Sequence, residues 1–249
     1  VKSELLARRS LGKQIVAILT ENRYRLLFFT LLGIVTAVFI VAALLTNKGS
    51  FTVTLPREQM LNLGLVISDT ADFARPRHEI QTPPVVDLWN ITRADIPKDV
   101  NMVDGSHNGE NYLATTVYLK NMGEKDLNYT LSIDINELYK NLDEALRVEL
   151  YVNDVPTLYA KRKLDGSGDP EPGTEPFKAR TRIISLEPTE IKVDQVEKFT
   201  VVAWVEGEDP ECTNDLLGGF VKMTMSFDGK VAGSEPETET EQTQQAASQ

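Results

Sequence analysis

Read for its pattern of apolar and polar positions, the chain falls into three unlike stretches. Residues 26–46, LLFFTLLGIVTAVFIVAALLT, form an unbroken apolar run with no charge, diluted only by Gly33 and three threonines. A helix over these 21 residues is about 31 Å long, the thickness of a hydrocarbon core. It has no polar face, as a buried soluble helix of that length would. The pattern predicts a transmembrane helix over 26–46.

Past Gly49 the period becomes two. Phe51-Thr52-Val53-Thr54-Leu55 alternates and Pro56 ends it. Residues 127–135 place an apolar side chain at every odd position and a polar one at every even position. That suits a strand with one wet face. Leu146, Val148, Leu150 and Val152 define another strand, and Asn153-Asp154-Val155-Pro156 turns it back into 157–161 as a hairpin. Residues 112–119, 199–205 and 220–227 complete at least seven expected strands, with 199–205 apolar enough to be covered on both faces. Residues 136–145 read as a helix or a turn-rich crossover.

Strands without alternating helices predict an all-β outer domain, an antiparallel β-sandwich, over 47–230. Residues 1–25 read as a cytosolic basic segment. Residues 164–176 read as a Gly/Pro/acidic loop, and 231–249 as a disordered acidic, Gln-rich tail.

Charge orients this plan. Six basic residues against two acidic ones precede the apolar run, whereas the remainder holds 20 basic against 35 acidic. The positive-inside rule puts the N-terminus in the cytoplasm and the β-domain outside. The alternative is a cleaved signal peptide. The run is longer than a typical signal core, and Ala42-Ala43 is followed by two leucines rather than a clean A-x-A site. These features favour an uncleaved signal-anchor. The formal charge of −11 argues against nucleic-acid binding.

Candidate chemistry is sparse. One cysteine allows no intramolecular disulfide, and two histidines lie far apart with no nucleophile motif. Two loops are rich in oxygen donors. Asp104, Asn108 and Glu110 lie in 104–111, and Glu208, Asp209 and Asp215 in 206–215. Hard cations take six to eight such oxygens, so the six residues are candidate calcium ligands. Turns that cap their own backbone, or solvated acidic loops, explain the same residues without an ion. Cys212, among acids, is expected to be a structural thiol rather than a nucleophile. Asn90 and Asn128 head glycosylation sequons.

Four segments carry a resemblance: GSFTVTL at 49–55, DGSHNGENY at 104–112, YLKNMGEKDLNYTL at 118–131 and WVEGEDPECTNDLLGG at 204–219. With them the chain resembles small single-pass surface proteins of Gram-positive bacteria, a group largely uncharacterised. More loosely, its layout is similar to the camelysin and TasA group, with a hydrophobic N-terminal segment before a jelly-roll-type sandwich that self-associates outside the cell. In that group the segment is cleaved, and a site for this is what the present chain lacks. The resemblance implies a non-enzymatic surface protein that binds a partner or assembles, its partners being the lipid bilayer and either itself or another surface protein. An accessory or sensor subunit of a membrane complex is the alternative, and a surface hydrolase a third.

Overall fold

The structure is a computed structural model that describes residues 23–41, 49–85, 88–162 and 172–233. The chain divides into two units, Val1–Asn47 and Lys48–Gln249.

In the first unit, α1 (Arg23–Val41) has every described residue exposed. It starts three positions before the expected span, and 42–46 lie outside the described residues. Thr30 and Thr36 return their hydroxyls to carbonyls one turn back, at 2.8 to 3.0 Å. That is how threonine is tolerated where no water is available.

The second unit is mostly strand. Its elements in chain order begin with β1 (Ser50–Thr54), α2 (Arg57–Leu63), β2 (Leu65–Ser68), β3 (Glu79–Thr82) and β4 (Gly105–Ser106). There follow β5 (Tyr112–Asn121), β6 (Leu127–Tyr139), β7 (Leu146–Val152) and β8 (Val155–Ala160). The last are β9 (Glu175–Pro176), β10 (Arg182–Ile191), β11 (Val196–Val205) and β12 (Phe220–Val231). They form two sheets in a sandwich-like arrangement. One runs β10-β6-β12-β1-β3, and the other β2-β5-β11-β7-β8-β9 with β4 on β5.

The expectation of purely antiparallel sheets is corrected. β1 lies parallel to β12, and β8 parallel to β9. The first and last strands are neighbours, so nearly the whole domain serves as the long crossover that a parallel pair requires.

The first sheet keeps one wet face. In β6 the residues alternate strictly between buried and half-buried from Leu127 to Ile135, and β12 does the same from Val221 to Phe227. The second sheet is covered on both faces, and β7 and β11 are buried almost throughout. Between the sheets, Tyr129 of β6, Phe227 of β12 and Phe199 of β11 meet with ring centroids 5.0 to 6.3 Å apart. Each side chain of this size buried contributes about 2 kcal/mol through lost apolar contact with water.

The cover on the outer face of the second sheet comes from the excursion between β3 and β5. Ile96 and Val100 of this strap pack on Ala114, Tyr151, Val202 and Trp204. Phe73, before β3, packs on Val66 and Tyr118.

Local sequence explains the turns. Asn153 and Asp154 both take positive φ, 48° and 69°, as a two-residue hairpin turn between right-twisted strands requires. Residues 136–145 are not a helix but end in the turn-rich crossover, the other expectation, which carries the chain from β6 in one sheet to β7 in the other. β6 runs on to Tyr139, Lys140 and Asn141 turn the chain at positive φ, and a 3-10 turn covers Leu142–Glu144.

Candidate functional site

The densest polar chemistry lies where β7 and β11 reach the 206–215 loop. Side chains alternate along β7, so Leu146, Val148 and Leu150 enter the main core, while Tyr151 joins the layer beneath the strap. Arg147 stands opposite Trp204 across the β7–β11 ladder. Its guanidinium meets the Asp209 carboxylate at 2.7 Å, with the two side chains 3% and 7% exposed. The other Asp209 oxygen accepts from the Glu211 backbone N–H at 2.7 Å. Two charges this far from water persist because each faces the other.

The strap is stitched to the same end. Ile91 N–H donates to the Val205 carbonyl at 3.0 Å, and Gly207 N–H to the Ile91 carbonyl at 2.9 Å. The Trp204 indole donates to Glu206 at 2.9 Å. Cys212 sits beside them, and burial foremost, with Asp209 and Glu206 adding, pushes its thiol pKa up. A raised thiol pKa leaves less of the nucleophilic thiolate at neutral pH.

Close by, Lys161 meets Asp143 at 2.6 Å. The neighbouring Glu144 carboxyl is raised chiefly by burial, with Asp143, Glu211 and Asp209 adding and Lys161 opposing. Acids and bases are thus interleaved here, which leaves no strong single-sign field to capture an ion.

Beneath the strap, Arg93 meets Glu149 at 2.8 Å and donates to the Tyr151 hydroxyl at 2.8 Å. That hydroxyl donates in turn to Glu149 at 2.9 Å. The triangle satisfies every member, so it fastens the strap to β7.

The polar groups of the 104–111 loop are tied to the segments around it. Tyr118 donates its hydroxyl to Asp104 at 2.5 Å. Asn108 donates to the Pro83 carbonyl and accepts from Ala114 N–H, at 2.8 and 2.9 Å. Asn111 accepts from Trp89 N–H at 2.9 Å. The His107 ring nitrogens lie 2.8 Å from the Gly105 carbonyl and 2.7 Å from that of Val100. Among the described residues neither histidine ring bonds a serine, threonine or cysteine side chain.

The expected calcium ligands are therefore not brought together. Among the described residues no group of three or more His, Cys, Asp or Glu is placed to hold a metal ion. Asp104 bonds Tyr118 of β5, Asn108 bonds Pro83 and Ala114, and Asp209 is neutralised by Arg147. Glu110, Glu208 and Asp215 are exposed. Turn capping, the alternative reading of 104–111, describes the bond that Asn108 accepts from Ala114 N–H, whereas a solvated loop, the alternative for 206–215, does not describe Asp209, buried against Arg147. The residues missed from sequence are Arg93, Asp143, Arg147, Glu149 and Lys161. Arg147 and Glu149 gave one signal, since they are charged alternates within the apolar pattern of residues 146–152.

No family model and no curated protein matches the sequence. Solved structures similar to it include two of a beta-glucosidase from Kluyveromyces marxianus, one of them with glucose. Both are 12% identical, with TM-scores of 0.25 and 0.22. They match 67% and 65% of this chain, which spans only 15% and 17% of theirs. Similarity at that level carries neither fold nor activity over to this chain.

Proposed function

We propose that this chain is a single-pass membrane protein whose β-domain stands outside the cell and acts by binding or assembly, not by catalysis. The carrying observation is α1. It holds no charge from Leu26 to Val41, and every one of its 19 residues is exposed. At about 28 Å in length, it gains most by lying across a bilayer. The basic residues before it favour a cytoplasmic N-terminus and a signal-anchor.

The β-domain supports the second half of the reading. Its buried charges are spent on one another: Arg147 with Asp209, Arg93 with Glu149, Lys161 with Asp143. Such pairs fix a surface without offering a poised acid, base or nucleophile. Two packed sheets whose first and last strands are neighbours suit a jelly-roll-type sandwich at a Gram-positive cell surface, working on itself or on another surface protein.

Protease added to protoplasts tests this. Cleavage of the β-domain with an N-terminal tag protected is the expected result. Protection of the β-domain overturns the orientation, and a native N-terminus beginning near residues 44–51 overturns the anchor. Turnover of a peptide or glycan by the purified chain overturns the non-catalytic part.

A further inference from the structure

We infer that the β-domain is built to carry tension between the chain entering at Gly49 and the chain leaving at Gly233, through shear of β1 against β12. The two strands are adjacent and parallel, in register from Ser50↔Lys222 to Thr54↔Ser226. Force enters at the N-terminal end of β1 and leaves at the C-terminal end of β12. In a parallel pair those ends point in opposite directions. The pull therefore runs along the strands and loads all the ladder bonds together.

The register sets the lever. Val231 lies nine positions beyond Lys222, about 30 Å further along the strand axis. The line between entry and exit is thus close to the strand direction. β12 is held on its other side by β6, antiparallel along its full length from Phe220 to Val231. β1 is held on its other side by β3.

Side chains resist the slide. Phe51 and Val53 are fully buried, opposite Met223 and Met225. A slip of one residue would turn both toward the wet face. Thr54 and Ser226 share a hydrogen bond at 3.2 Å between the two strands. At the point of entry, a Cβ on Gly49 would lie 3.0 Å from the Val221 carbonyl oxygen, so the strand is seated closely from its first residue.

The same strand supplies the control. β3 pairs antiparallel with β1, and Phe51↔Thr82 places the C-terminal end of β3 beside the N-terminal end of β1. Pulling those two ends apart opens the ladder one pair at a time.

This inference rests on the membrane anchoring proposed above for the source of the tension. The experiment below reads the fold alone, and the protease experiment reads the anchoring alone, so their failures are distinguishable.

The test is optical-tweezers unfolding of the full chain in detergent, with the native thiol removed as Cys212→Ser. Handles are attached through Lys48→Cys and Thr240→Cys in one variant, and through Lys48→Cys and Pro84→Cys in the other. Forced unfolding is governed by the barrier along the pulled direction, so the first rupture in the 48/240 variant should need at least about twofold the force of the 48/84 variant. A smaller ratio, or a reversed one, overturns the inference. Equal melting temperatures of the two variants without load exclude a difference in stability as the cause.

Discussion

Lys161 closes on Asp143 at 2.6 Å, while the other carboxylate oxygen of Asp143 has no hydrogen-bond partner among the described residues. The two sides of this pair are unequal. The Asp143 side chain is 1% exposed and that of Lys161 24%. Removing the lysine strands a buried carboxylate, whereas neutralising the aspartate leaves an ammonium that water still reaches. Lys161→Ala should destabilise the β-domain by about 3 kcal/mol, and Asp143→Asn by clearly less. Urea unfolding of the two variants at neutral pH checks the order, and equal losses would contradict it.

Ile133 is fully buried on β6, while Thr130 lies on the opposite, half-buried face beside Asp228 of β12. Ile133→Asp should abolish cooperative melting, because it puts an unpaired charge between the sheets. Thr130→Lys sets an opposite charge across from Asp228 and should change stability by only a few tenths of a kcal/mol, with a favourable sign. If the two variants melt alike, the register of β6 is wrong.

Glu144 gives the domain a pH dependence of definite sign. Burial, ahead of the charges around it, raises its carboxyl above the ordinary value. The folded chain therefore holds the proton over a window in which the unfolded chain has lost it. Stability falls as pH rises through that window, because the ionised acid is disfavoured where it sits. Glu144→Gln mimics the protonated form. It should match the wild type near pH 4 and melt higher than the wild type near pH 7. Asp154 shows the opposite sign, its carboxyl held below the ordinary range first by Lys198 and then by Asn101. Its contribution is present above the unfolded value and fades as pH falls through the folded one.

Strands with a plain signal were legible in the sequence. The alternation of 127–135 and 220–227 corresponds to β6 and β12, and the apolar run at 199–205 lies in the doubly covered β11. Both β6 and β12 run beyond the expected limits, because their ends continue to pair after the apolar pattern stops. β10 was not found. Pro188 interrupts its pattern, as an edge strand tolerates and the middle of a central one does not, and the register shifts there between Leu186 and Thr189. The parallel pairing of β1 with β12 had no local signature, since it joins segments about 170 residues apart. The charged pairs were illegible for a related reason. Arg147 and Glu149 alternate with apolar residues, a pattern that does not say what covers their face, and nothing nearby in sequence shows that the strap does. The acidic loops were legible as polar turns, but the partners of Asp104 and Asp209 lie elsewhere in the chain.

The last prediction concerns calcium. A bound ion stabilises a fold only through its affinity for the folded state, and at about 100 times its dissociation constant it adds roughly 2.7 kcal/mol. To bind here, calcium would have to take Asp104 from Tyr118, Asn108 from Pro83 and Ala114, or Asp209 from Arg147. The Arg147 exchange is the most costly, because it would leave a guanidinium buried without its facing carboxylate. Glu110, Glu208 and Asp215 remain accessible, but exposed carboxylates held in no common geometry offer a cation little beyond what water offers. Millimolar calcium should therefore leave the melting temperature of the full chain in detergent equal to that in chelator. Asp104→Asn should lower it equally in both, since its loss is that of the Tyr118 hydrogen bond. A calcium-dependent rise in the wild type that vanishes in Asp104→Asn or Asp209→Asn would show that these loops gather round an ion after all.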